Sequence, residues 1–133
     1  MIFVAHFLHV SHQQESSDSD RRHGAFHMMI DAEDQEAARA RFRERLEQIG
    51  RGSGLFEGAC RIYLTRMLQF EQPPKNHAVM FSFQSMAGDP VMPYIGCSSP
   101  SGETDGCEII HWEDNVPVMD EQPASPFFSF SAQ

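Results

Sequence analysis

Residues 26–50 read FHMMIDAEDQEAARARFRERLEQIG, and this stretch decides the fold. Its opening alternates Phe26, Met28 and Ile30 with His27 and Met29, the period of a strand that buries one face. After Asp31 the period changes. Ala38, Phe42, Leu46 and Ile49 fall within a sector of roughly 80° at 3.6 residues per turn, the apolar stripe of a helix. Asp31 is the expected N-cap and Gly50 the expected C-cap, while Glu33, Asp34 and Glu36 suit the positive end of the helix dipole. Arg39, Arg41, Arg43 and Arg45 have acids at helical spacing, in Glu36–Arg39, Arg41–Glu44 and Arg43–Glu47. That pattern describes a solvated, self-compensated face and not a phosphate clamp.

Toward the N-terminus, Ile2 to Val10 is strand-like. Ile2, Val4, Leu8 and Val10 share one face and Phe3, Ala5 and Phe7 the other, so a central or well-covered strand is expected. Ser11 to His23 contains no apolar residue and reads as a solvated loop before the strand Gly24–Ile30. Toward the C-terminus, Arg51 to Gly58 is a glycine-rich connection. From Cys60 the period is two again, with Cys60, Ile62, Leu64, Leu68 and Phe70 on one face and Arg61, Tyr63, Thr65, Met67 and Gln69 on the other. A strand this long is expected to bend or bulge. Arg66 interrupts its apolar face, where a guanidinium must snorkel, pair with a carboxylate or meet a bound anion; pairing is the expectation. Pro73-Pro74 marks a turn, Ala78 to Ser85 a return strand, and Gly88-Asp89-Pro90 another turn. Val91–Cys97 and Cys107–Trp112 look like a shorter hairpin.

The expected fold class is therefore α+β: a mainly antiparallel sheet of about five to six strands in the order ββαββββ, with one amphipathic helix on one face. Residues 1–115 form a single domain in this reading and residues 116–133 a Pro/Phe-rich tail. At 133 residues and 41% apolar composition the chain can bury roughly two-thirds of its unfolded surface without disulfides or metal. Its longest apolar run, Ile2 to Val10, is broken by His6 and His9 and is far below the ~20 residues of a membrane span. It also lacks the basic start and cleavage site of a signal peptide. A soluble cytoplasmic domain that does not engage membranes is expected.

Charge is unevenly distributed. Residues 72–133 hold eight acids against Lys75 alone, which supplies most of the net charge of −9. The basic residues are interleaved with acids along one helix, not gathered on a surface, which disfavours direct nucleic-acid binding. The acidic half suits solubility first, and then attraction to a basic partner or mimicry of nucleic acid by the carboxylates of residues 103–121.

Seven histidines stand out in the composition. His6, His9 and His12 are spaced by three, so on a strand His9 points away from the other two. His27 and His111 can join His6 or His9 across the sheet. No paired-ligand spacing or HExxH motif occurs, and neither a metal nor a cofactor is expected. Cys60, Cys97 and Cys107 make an odd count without a CxxC pair. Reduced thiols are the expectation, although Cys97 and Cys107 bracket a hairpin and could bond across it. The run Gly50-Arg51-Gly52-Ser53-Gly54 follows a helix instead of opening one, so it is not a nucleotide loop. No catalytic motif appears. Phe127, Phe128 and Phe130 form either a strap over the sheet or a docking element.

The leading functional expectation is a non-enzymatic protein-binding or accessory module that self-associates as a homodimer through sheet edges and the Phe-rich tail. His6, His27, Arg66, Cys97, Cys107, His111, Phe127, Phe128 and Phe130 are its candidate binding residues. The alternative is a small ligand- or metal-binding domain or enzyme with a His/Cys-lined pocket between helix and sheet.

Overall fold

A computed structural model describes residues 1–12, 22–52, 55–56, 59–88, 95–97, 106–110 and 127–131. The chain divides into two compact units, Met1–Ser82 and Phe83–Gln133. In the first, β1 (Ile2–His12), β2 (Arg22–Asp31), α1 (Gln35–Gly52) and β3 (Ala59–Phe70) follow one another. The strands form an antiparallel sheet in the order β2-β1-β3. The α+β class, the single helix and the central position of β1 are as the sequence implies. The described residues hold three strands, not five to six.

The core lies between α1 and one face of the sheet. Phe3, Ala5 and Phe7 of β1 are buried together with Ala38 and Phe42 of α1 and Ala32 from the connection. Phe26, Met28, Ile30, Leu46, Ile62 and Met67 pack around them. The Phe7 ring stacks on Phe26 at 5.1 Å between centroids and meets the Phe42 ring edge-on at 5.7 Å. Aromatic contacts of this geometry add to the area they bury. Beyond Phe7 the His9 ring takes its place in the same row, touching Phe26 and Phe56. It lies over Gly24, where a Cβ would come within 2.5 Å of the imidazole. A larger residue at that position would force the His9 ring aside.

The helix ends differ from the sequence expectation at both termini. Asp34, not Asp31, caps the helix: its Oδ1 accepts the Ala37 N–H at 2.8 Å, and its carbonyl accepts the Ala38 N–H at 3.0 Å. Asp31 stays in the sheet opposite Ile2, where its carboxylate meets the Met1 amino group at 3.0 Å. At the other end the helix runs through Gly50 to Gly52, with an ion pair one turn apart between Glu47 and Arg51 at 3.8 Å.

The third strand contains the expected irregularity. Opposite β1 the register passes from His6↔Arg66 to Phe7↔Leu64, so Thr65 is an extra residue and forms a β-bulge. The bulge exchanges the two faces. Cys60, Ile62 and Leu64 lie on the helix side before it and Met67 and Gln69 after it, whereas Arg66, Leu68 and Phe70 face away. The expectation that one face runs unbroken from Cys60 to Phe70 is thereby corrected.

Residues 78–85, expected as a return strand, are exposed and lie in no strand. Both sides of β1 are occupied, so such a strand could join only at an outer edge. The described parts of the expected hairpin, 95–97 and 106–110, likewise carry no strand. Gly88 and Gly106 adopt φ of 104° and 80°, the left-handed region that favours glycine.

Phe42 fixes the helix to the sheet and is almost fully buried. Phe42→Ala is expected to lower stability by about 3–5 kcal/mol in urea unfolding. A loss below about 1 kcal/mol would show that the helix does not seat there.

Candidate functional site

The face of the sheet turned away from α1 carries the site. Cross-strand register arranges it in rows that run β2-β1-β3. Asp31, Ile2 and Phe70 form the first row and Met29, Val4 and Leu68 the second. His27, His6 and Arg66 form the third, joined by Thr65 from the bulge. Ala25, Leu8 and Tyr63 follow, then His23, Val10 and Arg61. No described helix or strand lies on this face, and Met29 is 70% exposed. One polar, cationic row thus lies between two largely apolar ones.

Within that row the His6 and His27 rings meet edge to face with centroids 4.9 Å apart. His6 Nδ1 and Thr65 Oγ1 are in direct hydrogen-bond contact. The Thr65 hydroxyl donates its single proton to the His6 carbonyl at 3.0 Å. With that proton on the carbonyl, the oxygen accepts from the ring, an arrangement that places the His6 proton on Nδ1 and leaves Nε2 for other partners. Arg66 is exposed and makes no ion pair among the described residues, so the expected carboxylate partner is not one of them.

A second concavity lies on the helix side. A groove of about 440 Å³ is lined by Phe7, Phe42, Leu46, Ile62 and Leu64, with Arg39, Arg43 and Glu47 along it. The helix lies closest to β2, leaving the β3 side of the core open and Leu64 38% exposed. This helix–sheet groove has no histidine or cysteine in its lining, because His6 and His27 occupy the opposite face. Among the described residues no group of three or more His, Cys, Asp or Glu could hold a metal.

Cys97 and Cys107 are joined as a disulfide, with Cα atoms 5.9 Å apart, where reduced thiols were the expectation. That separation lies within the range a disulfide spans. Cys60 is free and half-buried, and burial pushes its thiol up from the ordinary value, partly offset by a hydrogen bond with the Val10 backbone. Phe127 and Phe130 are 93% and 91% exposed, with Phe128 meeting Phe130 edge-on at 4.9 Å. His111 lies outside the described residues, as do most acids of the 103–121 stretch; Glu108 is described and exposed. No described helix is long and apolar enough to cross a membrane.

The chain matches no protein-family model, no curated protein and no solved structure. The sequence singled out His6, His27 and Arg66 individually, and the structure sets them side by side. It passed over Thr65, whose only signal was the phase break between Leu64 and Met67.

Two measurements check this geometry. Imidazole ¹⁵N spectra are expected to show neutral His6 as the Nδ1–H tautomer, with Thr65→Val abolishing that preference and costing about 1 kcal/mol. An unchanged tautomer in the variant would remove the Thr65 assignment. Alkylation of the unfolded, unreduced protein is expected to label Cys60 alone. In the folded protein at pH 8 Cys60 is expected to react slowly, because its raised thiol pKa keeps it protonated. Labelling of all three cysteines before reduction would refute the Cys97–Cys107 bond.

Proposed function

We propose that this chain is a small, acidic, non-enzymatic protein-binding module that pairs with a second copy of itself along β3. The observation that carries the reading is the unfinished core at that strand. Among the described strands β3, of 12 residues, lies at the edge of the sheet, and its inner face ends in the groove where Leu64 remains exposed. A long edge strand with unpaired backbone groups is a template for another strand.

Antiparallel pairing of β3 with β3 of a second copy is self-complementary, as a two-fold interface requires. It would extend the sheet to six strands and cover the groove. The exposed Phe127, Phe128 and Phe130 supply a second apolar element for a partner. The acidic second half gives complementarity to a basic protein surface. We assign the module to the cytoplasm on its odd cysteine count, with Cys60 unpaired. A Cys97–Cys107 bond in that compartment would respond to the ambient thiol pool.

Sedimentation equilibrium tests the assignment. The full chain is expected to be dimeric at micromolar concentration. Leu64→Lys places a charge in the groove at the edge and is expected to weaken association at least about tenfold while leaving the circular dichroism spectrum unchanged. Removal of residues 123–133 separates the two elements, since a tail-driven dimer dissociates on truncation and a β3 dimer does not. A dimer that survives Leu64→Lys would overturn the β3 interface.

A further inference from the structure

The cationic row on the open face is unexplained by self-association along an edge. We propose that His27, His6 and Arg66 form a binding site for a carboxylate carried on an apolar body. This goes beyond the pairing of copies and does not depend on it, because all three side chains belong to one protomer.

The protein carries a net charge of −9, yet this face presents Arg61 and Arg66 with His6, His23 and His27. Its one described acid is Asp31, already engaged by the Met1 amino group and four residues along β2 from His27. At the rise of a strand that separation is about 13 Å. Among the described residues Arg66 has no carboxylate partner.

His6 spends Nδ1–H on Thr65, so Nε2 is the ring atom that meets a ligand. Arg66 is the cross-strand partner of His6 in the register. His27 adds an imidazole whose ring is 4.9 Å away. Charge-assisted hydrogen bonds from such donors are among the stronger ones available to an anion.

The same row suits a metal cation poorly. It offers two imidazoles and no thiolate or carboxylate, and Arg66 places a like charge beside any metal. An anion has the opposite balance, since it relieves the crowding of His6, His27 and Arg66.

The apolar rows on either side select the kind of anion. Val4, Met29 and Leu68 lie on one side, and Leu8, Ala25 and Tyr63 on the other. A monocarboxylate can place its two oxygens on the cationic row while its hydrocarbon part lies along Met29 and Leu68 or along Leu8 and Tyr63. A phosphate dianion is more heavily hydrated and would turn its remaining oxygens toward those same apolar side chains.

The test is titration of the full chain with hexanoate, acetate, inorganic phosphate and chloride at constant ionic strength, followed by imidazole and amide NMR shifts. Hexanoate is expected to give saturable shifts centred on His6, His27, Thr65 and Arg66. It should bind at least about tenfold tighter than acetate. Arg66→Gln and His27→Gln are each expected to weaken hexanoate about tenfold without changing the circular dichroism spectrum. Leu64→Lys is expected to retain binding whether or not it dissociates the dimer, which separates this site from the interface. Shifts that chloride reproduces, phosphate binding tighter than hexanoate, equal affinities for acetate and hexanoate, an unaffected Arg66→Gln variant, or loss of binding in Leu64→Lys would each overturn the proposal.

Discussion

A guanidinium cannot lie under α1 without a partner, and the arrangement of the third strand follows from that constraint. An uninterrupted strand from Cys60 to Phe70 would aim Arg66 at the core beside Phe3, Ala5 and Phe7. The extra residue at Thr65 turns Arg66 outward and brings Met67 in to fill the space. Desolvating an unpaired charge costs several kcal/mol, far more than an irregular step in a sheet ladder. The bulge also places the Thr65 hydroxyl where it meets both the ring and the carbonyl of His6. One inserted residue thus completes the core on one side of the sheet and organises the polar row on the other.

Much of this was legible in the residues. β1, β2 and α1 announce themselves because a period of two and a period of 3.6 persist over long runs. The cap was not legible, since Asp31, Glu33 and Asp34 are chemically alike and the choice depends on where β2 releases the chain. Asp31 is held in the ladder by its pairing with Ile2, and only then does Asp34 become the first residue free to turn. The bulge had a sequence signature: Arg66 falls in phase with apolar neighbours and Met67 out of phase with them. Alternation in Ala78 to Ser85 indicates a face but names no partner strand. His6 and His27 illustrate the same limit from the other side. Their contact is a fact of register, which sequence spacing alone does not specify.

The sheet is unevenly finished. Its β2 side is roofed by α1, with Phe26, Met28 and Ile30 in place beneath the helix. Its β3 side leaves Leu64 at the margin of a groove, and no described helix or strand lies on the opposite face. A three-stranded sheet with one helix has more apolar surface than that helix can cover. The proposed edge pairing and the proposed carboxylate site answer different parts of this surplus, one along the hydrogen-bonding direction and one across the face.

The strand order has a consequence for how the sheet is assembled. β1 and β2 are near neighbours in the chain, with Ser11 facing Arg22 across the hairpin. β1 and β3 are remote, with Ser11 facing Cys60 and Ile2 facing Phe70. Closing the longer loop carries the larger entropic penalty, although that penalty grows only slowly with length. The hairpin can therefore form while the helix is still seeking its seat, whereas the third strand must wait for about sixty residues to be present and ordered. Until it docks, Leu8, Val4 and Ile2 have one bare flank, and the nascent chain presents its most apolar strand as an open edge.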